Sequence, residues 1–140
     1  MLATLALPRV VVHDLHLFDL ESIPYKILAI VPFVTWALYA LFGKSKRPIY
    51  DFMLLGLIFG LMLAVTHQLT WDASWGSNPP QLHGNLEDKF DPMIESVLLR
   101  SAAFISSILT GMVFGGVCSL VALASFNVWS RKHKPRPSKR

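Results

Sequence analysis

Three long apolar runs, separated by short polar clusters, dominate the pattern along this chain. Residues 27–43 and 101–130 carry no formal charge, and 52–71 carry none apart from a proton that His67 can accept. Within 27–42 apolar side chains occupy every helical face, interrupted by Thr35 alone, and 54–65 contain no polar side chain. A helix in a small soluble domain keeps a polar face, so helices apolar all round point to lipid as their solvent. About 20 helical residues, rising 1.5 Å each, cross a hydrocarbon core of about 30 Å. The second and third runs meet that length. The first, at 17 residues, is at the lower limit and is extended by Tyr25 and by Lys26, whose stem can snorkel to the headgroups. The pattern predicts an all-α integral membrane protein with three transmembrane helices forming one membrane domain. Its parts are an outer N-terminal segment (1–22), helix one (23–43), a cytoplasmic loop (44–51), helix two (52–71), an outer loop (72–91), helix three (92–130) and a basic cytoplasmic tail (131–140).

Composition narrows the class without naming an activity. The chain has 140 residues, 53% hydrophobic and 16% charged, with a mean hydropathy of +0.47, which excludes a disordered polymer. Its 8 glycines follow no fixed period, which excludes collagen-like and repeat arrays. The single cysteine, Cys118, excludes a disulfide framework and any CxxC motif. No basic n-region precedes the first apolar residues, Pro8 and Arg9 cut them short, and no A-x-A site follows. Residues 1–22 are therefore expected to be retained and not to span.

Charge sets the expected orientation. The 44–51 loop and the tail hold nine of the 13 Lys and Arg, with Asp51 as their one nearby acid. The N-terminal segment and the 72–100 region hold the other four bases and eight of the nine acids. Basic residues mark the cytoplasmic side of a cell membrane, so the N-terminal segment is expected outside and the tail inside. The tail reads as a topology anchor that attracts anionic lipid. It has no aromatic residue to stack on bases, so nucleic acid is not an expected partner.

Local signals refine the helices. Asp51 is placed to cap helix two, and Asp91-Pro92 is a strong start for helix three. Helix three is then longer than a bilayer with its headgroups and must project, tilt or bend. Pro32 is expected to kink helix one. Trp71 and Trp75 at one end, with Tyr50 and Trp129 at the other, suit interfacial belts.

The most specific feature is a repeat of small residues every four. Gly56, Gly60 and Ala64 recur in helix two; Ala103, Ser107, Gly111, Gly115 and Ser119 do so in helix three. Residues four apart share a face, and small ones let two backbones approach closely in lipid. The two stripes are expected to pack against each other, with a homo-oligomeric contact as the alternative.

His67 and Arg100 fall on those faces by spacing and lie toward the outer end. Ionisable residues there are functional-site candidates, or hydrogen-bonded and interfacial anchors. If Gly60 and Gly115 share the midplane, His67 lies about 10 Å and Arg100 about 22 Å above it. Arg100 is then expected to meet Asp72, Glu95 or lipid phosphate. His13, His16, His67 and His83 are the candidates for an outer zinc or copper site, with His13 and His16 at i,i+3 spacing. A haem is disfavoured, since one histidine lies within a span. Cys118 reads as a small apolar packer. No Walker, GxSxG, HExxH or Rossmann pattern and no N-x-[ST] sequon occurs, so no catalytic residue and no cofactor is assigned.

The expected role is that of a structural or accessory membrane component without enzymatic activity. Its expected partners are the lipid bilayer and either another membrane protein or further copies of itself. An oligomeric transport or channel protein is the alternative, with Ser106, Ser107, Thr110 and Ser119 as the best polar lining. An outer-face metal or haem protein is the third class.

Overall fold

The computed structural model describes residues 2–19, 21–43 and 45–132, with side chains through residue 126 except that of Ala6. The described residues form helices and turns with no strand: a 3-10 turn Leu2–Ala6, α1 (Leu7–Asp14), α2 (Ile23–Phe42), α3 (Pro48–Trp75), a 3-10 turn Gly84–Leu86, and α4 (Pro92–Lys132). Three of these helices, α2, α3 and α4, are long and apolar enough to cross a membrane. The tail from residue 133, Lys44 and the side chains of Trp129, Arg131 and Lys132 lie outside the described residues.

The helix boundaries follow from proline, glycine and carboxylates. α2 begins after Ser22 with a proline in its first turn, runs through Pro32, and ends at Gly43, whose N–H donates to Tyr39 O at 2.7 Å. α3 begins a turn earlier than expected, because Pro48 suits a first helical position where no N–H is needed. Asp51 consequently sits inside the first turn and is not the cap; its carboxylate accepts from Ser45 Oγ. Gly76, at φ +52°, closes the far end, a turn later than expected. α4 opens as the Asp91-Pro92 pair predicts: the Asp91 carboxylate accepts the Met93 N–H at 2.9 Å. Its 41 residues span about 62 Å, longer than a bilayer with headgroups.

α3 and α4 form an antiparallel pair in backbone contact. A Cβ built on Gly56 would meet the Gly111 carbonyl and come within 3.0 Å of Gly115 Cα. One on Gly111 would reach the Gly56 carbonyl and come within 2.6 Å of Gly60 N. One on Gly60 would lie 2.8 Å from Ile108 Cα, and one on Gly115 would meet the Phe52 carbonyl. Ala64, Ser107 and Ser119 are buried along the same seam. Gly60 therefore faces residues 107–111 and not Gly115. That register differs by about two turns from the shared-midplane assumption and raises Gln68 to the level of Arg100, where Gln68 Nε2 donates to Arg100 O at 3.1 Å.

Aromatic side chains seat α2 on this pair. Phe33 stacks on Phe114 at 4.1 Å between centroids, Trp36 meets Phe59 edge-on at 5.4 Å, and Tyr39 meets Phe52 at 5.9 Å. The buried core joins Trp36, Ala40, Phe52, Phe59, Cys118 and Ala122, with Cys118 packed as expected.

The N-terminal segment packs against the long helices. Residues 2–14 do not lie beyond the ends of the long helices; they pack along α2 and α3. Ala3 belongs to the core, and Trp36 Nε1 donates to Leu2 O at 3.0 Å. Asp14 lies beside His67, and Phe59 is about 12 Å from His67 along α3, so the segment reaches roughly half the length of the apolar run. The cause is a face made by Ala3, Leu7, Val10 and Asp14, spaced 4, 3 and 4 residues apart.

Candidate functional site

The strongest polar cluster joins α1 to α3 where α1 ends. Asp14 is the last residue of α1 and is 3% exposed. His67 Nδ1 lies 2.8 Å from Asp14 Oδ2, and His13 Nδ1 lies 3.1 Å from Oδ1. The Thr70 hydroxyl also reaches Oδ2 and lies 2.8 Å from Thr66 O; with one proton it donates to one of them at a time. A buried carboxylate is costly without partners, and here each oxygen has one or more. With Asp14 ionised, both imidazoles donate Nδ1–H and keep Nε2 free as an acceptor. His67 is about one-third exposed and His13 half exposed, so both free nitrogens belong to partly open rings.

A second layer surrounds this joint. The His13 and Tyr25 rings lie 6.2 Å apart. The Arg9 guanidinium sits 5.8 Å from the centroid of the same Tyr25 ring, a cation–π arrangement that offsets part of the cost of placing it there. Arg9 Nε and Ser22 Oγ are both buried without a hydrogen-bond partner among the described residues.

The four histidines named from sequence do not converge. His13 and His67 meet on Asp14. His16 follows the end of α1 at φ +51° and is exposed, so the i,i+3 helical spacing never forms. His83 is exposed in the loop before the Gly84–Leu86 turn. Among the described residues no three His, Cys, Asp or Glu side chains gather as a metal site would require. His67 follows the small-residue face by spacing, yet its partner is Asp14 of α1, and at this level Gln68 makes the contact with α4. Asp14 and Thr70 carry no signal of their own in the sequence, and Tyr25 reads there only as an extension of helix one. The available signal was a carboxylate on the otherwise apolar face Ala3, Leu7, Val10.

Arg100 takes the first of its expected partners. Its Nη2 is 2.8 Å from Asp72 Oδ1, and its guanidinium lies 5.1 Å from the Trp71 ring centroid. Glu95 is engaged elsewhere, accepting the Leu82 N–H and tying the loop to α4. The hydroxyls considered as a channel lining bond back to their own helix: Ser106 and Ser107 to Ala103 O, Thr110 to Ser106 O, and Ser119 to Gly115 O. Ser107 and Ser119 are buried in the seam, whereas Ser106 and Thr110 face outward.

These features define an all-helical chain with three helices compatible with a small membrane protein. Comparison with protein-family models, curated proteins and solved structures finds no match.

Proposed function

We propose that this chain is a three-span protein of the cell membrane, without enzymatic activity, that serves as a structural or accessory component. In this reading the N-terminal segment enters from the outer side, where residues 15–22 and the 72–91 loop lie, and the 44–51 loop and the tail belong to the cytoplasm. The observation that carries the role is the backbone-to-backbone seam of α3 and α4, which makes a stiff helical pair. The small stripes are consumed within the chain. Association with another membrane protein or a second copy therefore uses the outward apolar faces, such as Val34 and Leu38 of α2 or Val113 and Val117 of α4.

Two experiments test the reading. Cysteines placed at Ser77 and Ser138 in a Cys118→Ala background should differ toward an impermeant thiol reagent on intact cells. Labelling at Ser77 with protection at Ser138 is expected, and the opposite pattern reverses the topology. Photocrosslinkers at Val34 and Val117 should capture a membrane protein or a second copy in intact membranes. A chain that yields no crosslink at either face, and leaves mild detergent alone and monomeric, removes the accessory role.

One observation favours the transport alternative: Asp14 is a buried carboxylate beside two histidines, a grouping that in spanning regions serves ion and proton pathways. Flux across reconstituted vesicles that depends on Asp14 would establish it.

A further inference from the structure

The end of the bundle opposite the Asp14 joint carries a groove between the start of α3 and the later turns of α4. Its volume is about 520 Å³, and it is lined by Arg47, Pro48, Ile49, Tyr50, Met53 and Leu123. Five of the six are apolar or aromatic; Arg47, at the helix start, is the one charged residue and lends the wall carbon atoms only, so the groove itself is apolar. Ile49 and Tyr50 are more than half exposed, so the groove opens to whatever surrounds the helices.

We propose that this groove binds one anionic phospholipid, with its phosphate on Arg47 and an acyl chain along Met53 and Leu123. The proposal rests on the membrane reading above. Charge complementarity selects the occupant. Arg47 has no ion pair among the described residues, and Lys46 beside it is exposed. The nearby carboxylate, Asp51, accepts from the neutral Ser45 hydroxyl and keeps its charge, against the two bases. The first turn of α3 lacks a side-chain cap but carries Asp51, so Lys46 and Arg47 supply the net positive charge of this rim. A protein segment would leave the rim charges to be matched by its own acids. A phospholipid supplies an apolar chain for the groove and an anionic head for the exposed bases at its rim.

The test uses the full chain, purified in mild detergent, with phosphatidylglycerol and phosphatidylcholine offered in equal amounts and retained lipid read by native mass spectrometry. Wild type should retain one phosphatidylglycerol with about fivefold preference, the contribution of one basic residue near a membrane surface. Arg47→Gln should abolish the preference while leaving lipid of either kind bound. Leu123→Trp and Met53→Trp, two independent ways of filling the groove, should lose the retained lipid. Arg100→Gln, at the other end, should match wild type.

Equal retention of both lipids by wild type overturns the proposal. So does a preference that survives Arg47→Gln, which would place its source in the tail. Disulfide-linked dimers through cysteine at Leu123 would show a second copy in the groove and overturn it as well. Flotation with vesicles separates the two levels of inference. A chain that does not float defeats the membrane reading itself, whereas one that floats without lipid preference defeats this proposal alone.

Discussion

The α3–α4 seam and the Asp14 joint both hold helices together, by opposite means. The seam has almost no side chain in it: glycine backbones touch, and burial of Ala64, Ser107 and Ser119 completes the contact. The joint is made of side chains alone, with a carboxylate, two imidazoles and a hydroxyl bridging α1 and α3. The seam depends on the absence of atoms and so tolerates no addition. The joint depends on matched donors and an acceptor and so tolerates no deletion. In lipid, where apolar faces gain nothing by leaving the solvent, these are two available sources of helix affinity: dispersion at short range and interhelical hydrogen bonds.

Substitutions should separate the two. Gly111→Leu is expected to do the most damage, above about 3 kcal/mol, because the new side chain meets the backbone of Gly56 and Gly60, which cannot rotate away. Thermal unfolding in detergent checks it; a melting temperature equal to wild type would mean that the helices do not touch there. Asp14→Ala should come next, at about 2 kcal/mol, by leaving two imidazoles without their acceptor, while the Thr70 hydroxyl keeps Thr66 O. The readout is local: a cysteine replacing buried Ala3, in a Cys118→Ala background, should become reactive when Asp14 is removed. Asp14→Asn, which keeps one acceptor oxygen, should fall between. Unchanged reactivity in both would mean that the joint does not hold the segment in place.

Smaller effects sharpen the contrast. Arg100→Gln removes an ion pair whose Asp72 partner is 91% exposed, so it should cost under about 1 kcal/mol. Gly116→Ala should change stability by no more than about 0.5 kcal/mol, because the added Cβ meets nothing closer than Met53 Sδ at 4.0 Å. Gly115→Ala, whose Cβ meets the Phe52 carbonyl, should lose stability instead; equal responses to alanine at Gly115 and Gly116 would show that the seam does not set the difference between them.

The two regions also differ in how readable they are. The seam is periodic, and period is what a sequence displays: Gly56, Gly60 and Ala64 announce a face, as do Gly111 and Gly115. Its register was not legible, since spacing says which residues share a face but not which opposing pair meets. Asp91-Pro92 marked its helix start because both signals are local. Asp51 misled, since Pro48, three residues earlier, is an equally local and stronger start. The joint unites residues 53 positions apart, a pairing that no local pattern encodes. His13 and His16 looked paired on the assumption that the helix continued, and it ends at Asp14.

The half-length N-terminal segment constrains the order of assembly. Its hydrogen-bond partners on the long helices, Trp36, His67 and Thr70, all follow it along the chain, and the last two belong to α3. Until α3 exists, Asp14 has only His13 beside it, and the core to which Ala3 belongs lacks Phe52 and Phe59. The segment is thus made before the long helices yet can take its seat only after them. Nascent chains stopped before residue 52 should leave residues 2–14 open to protease, and chains extended past residue 75 should protect them.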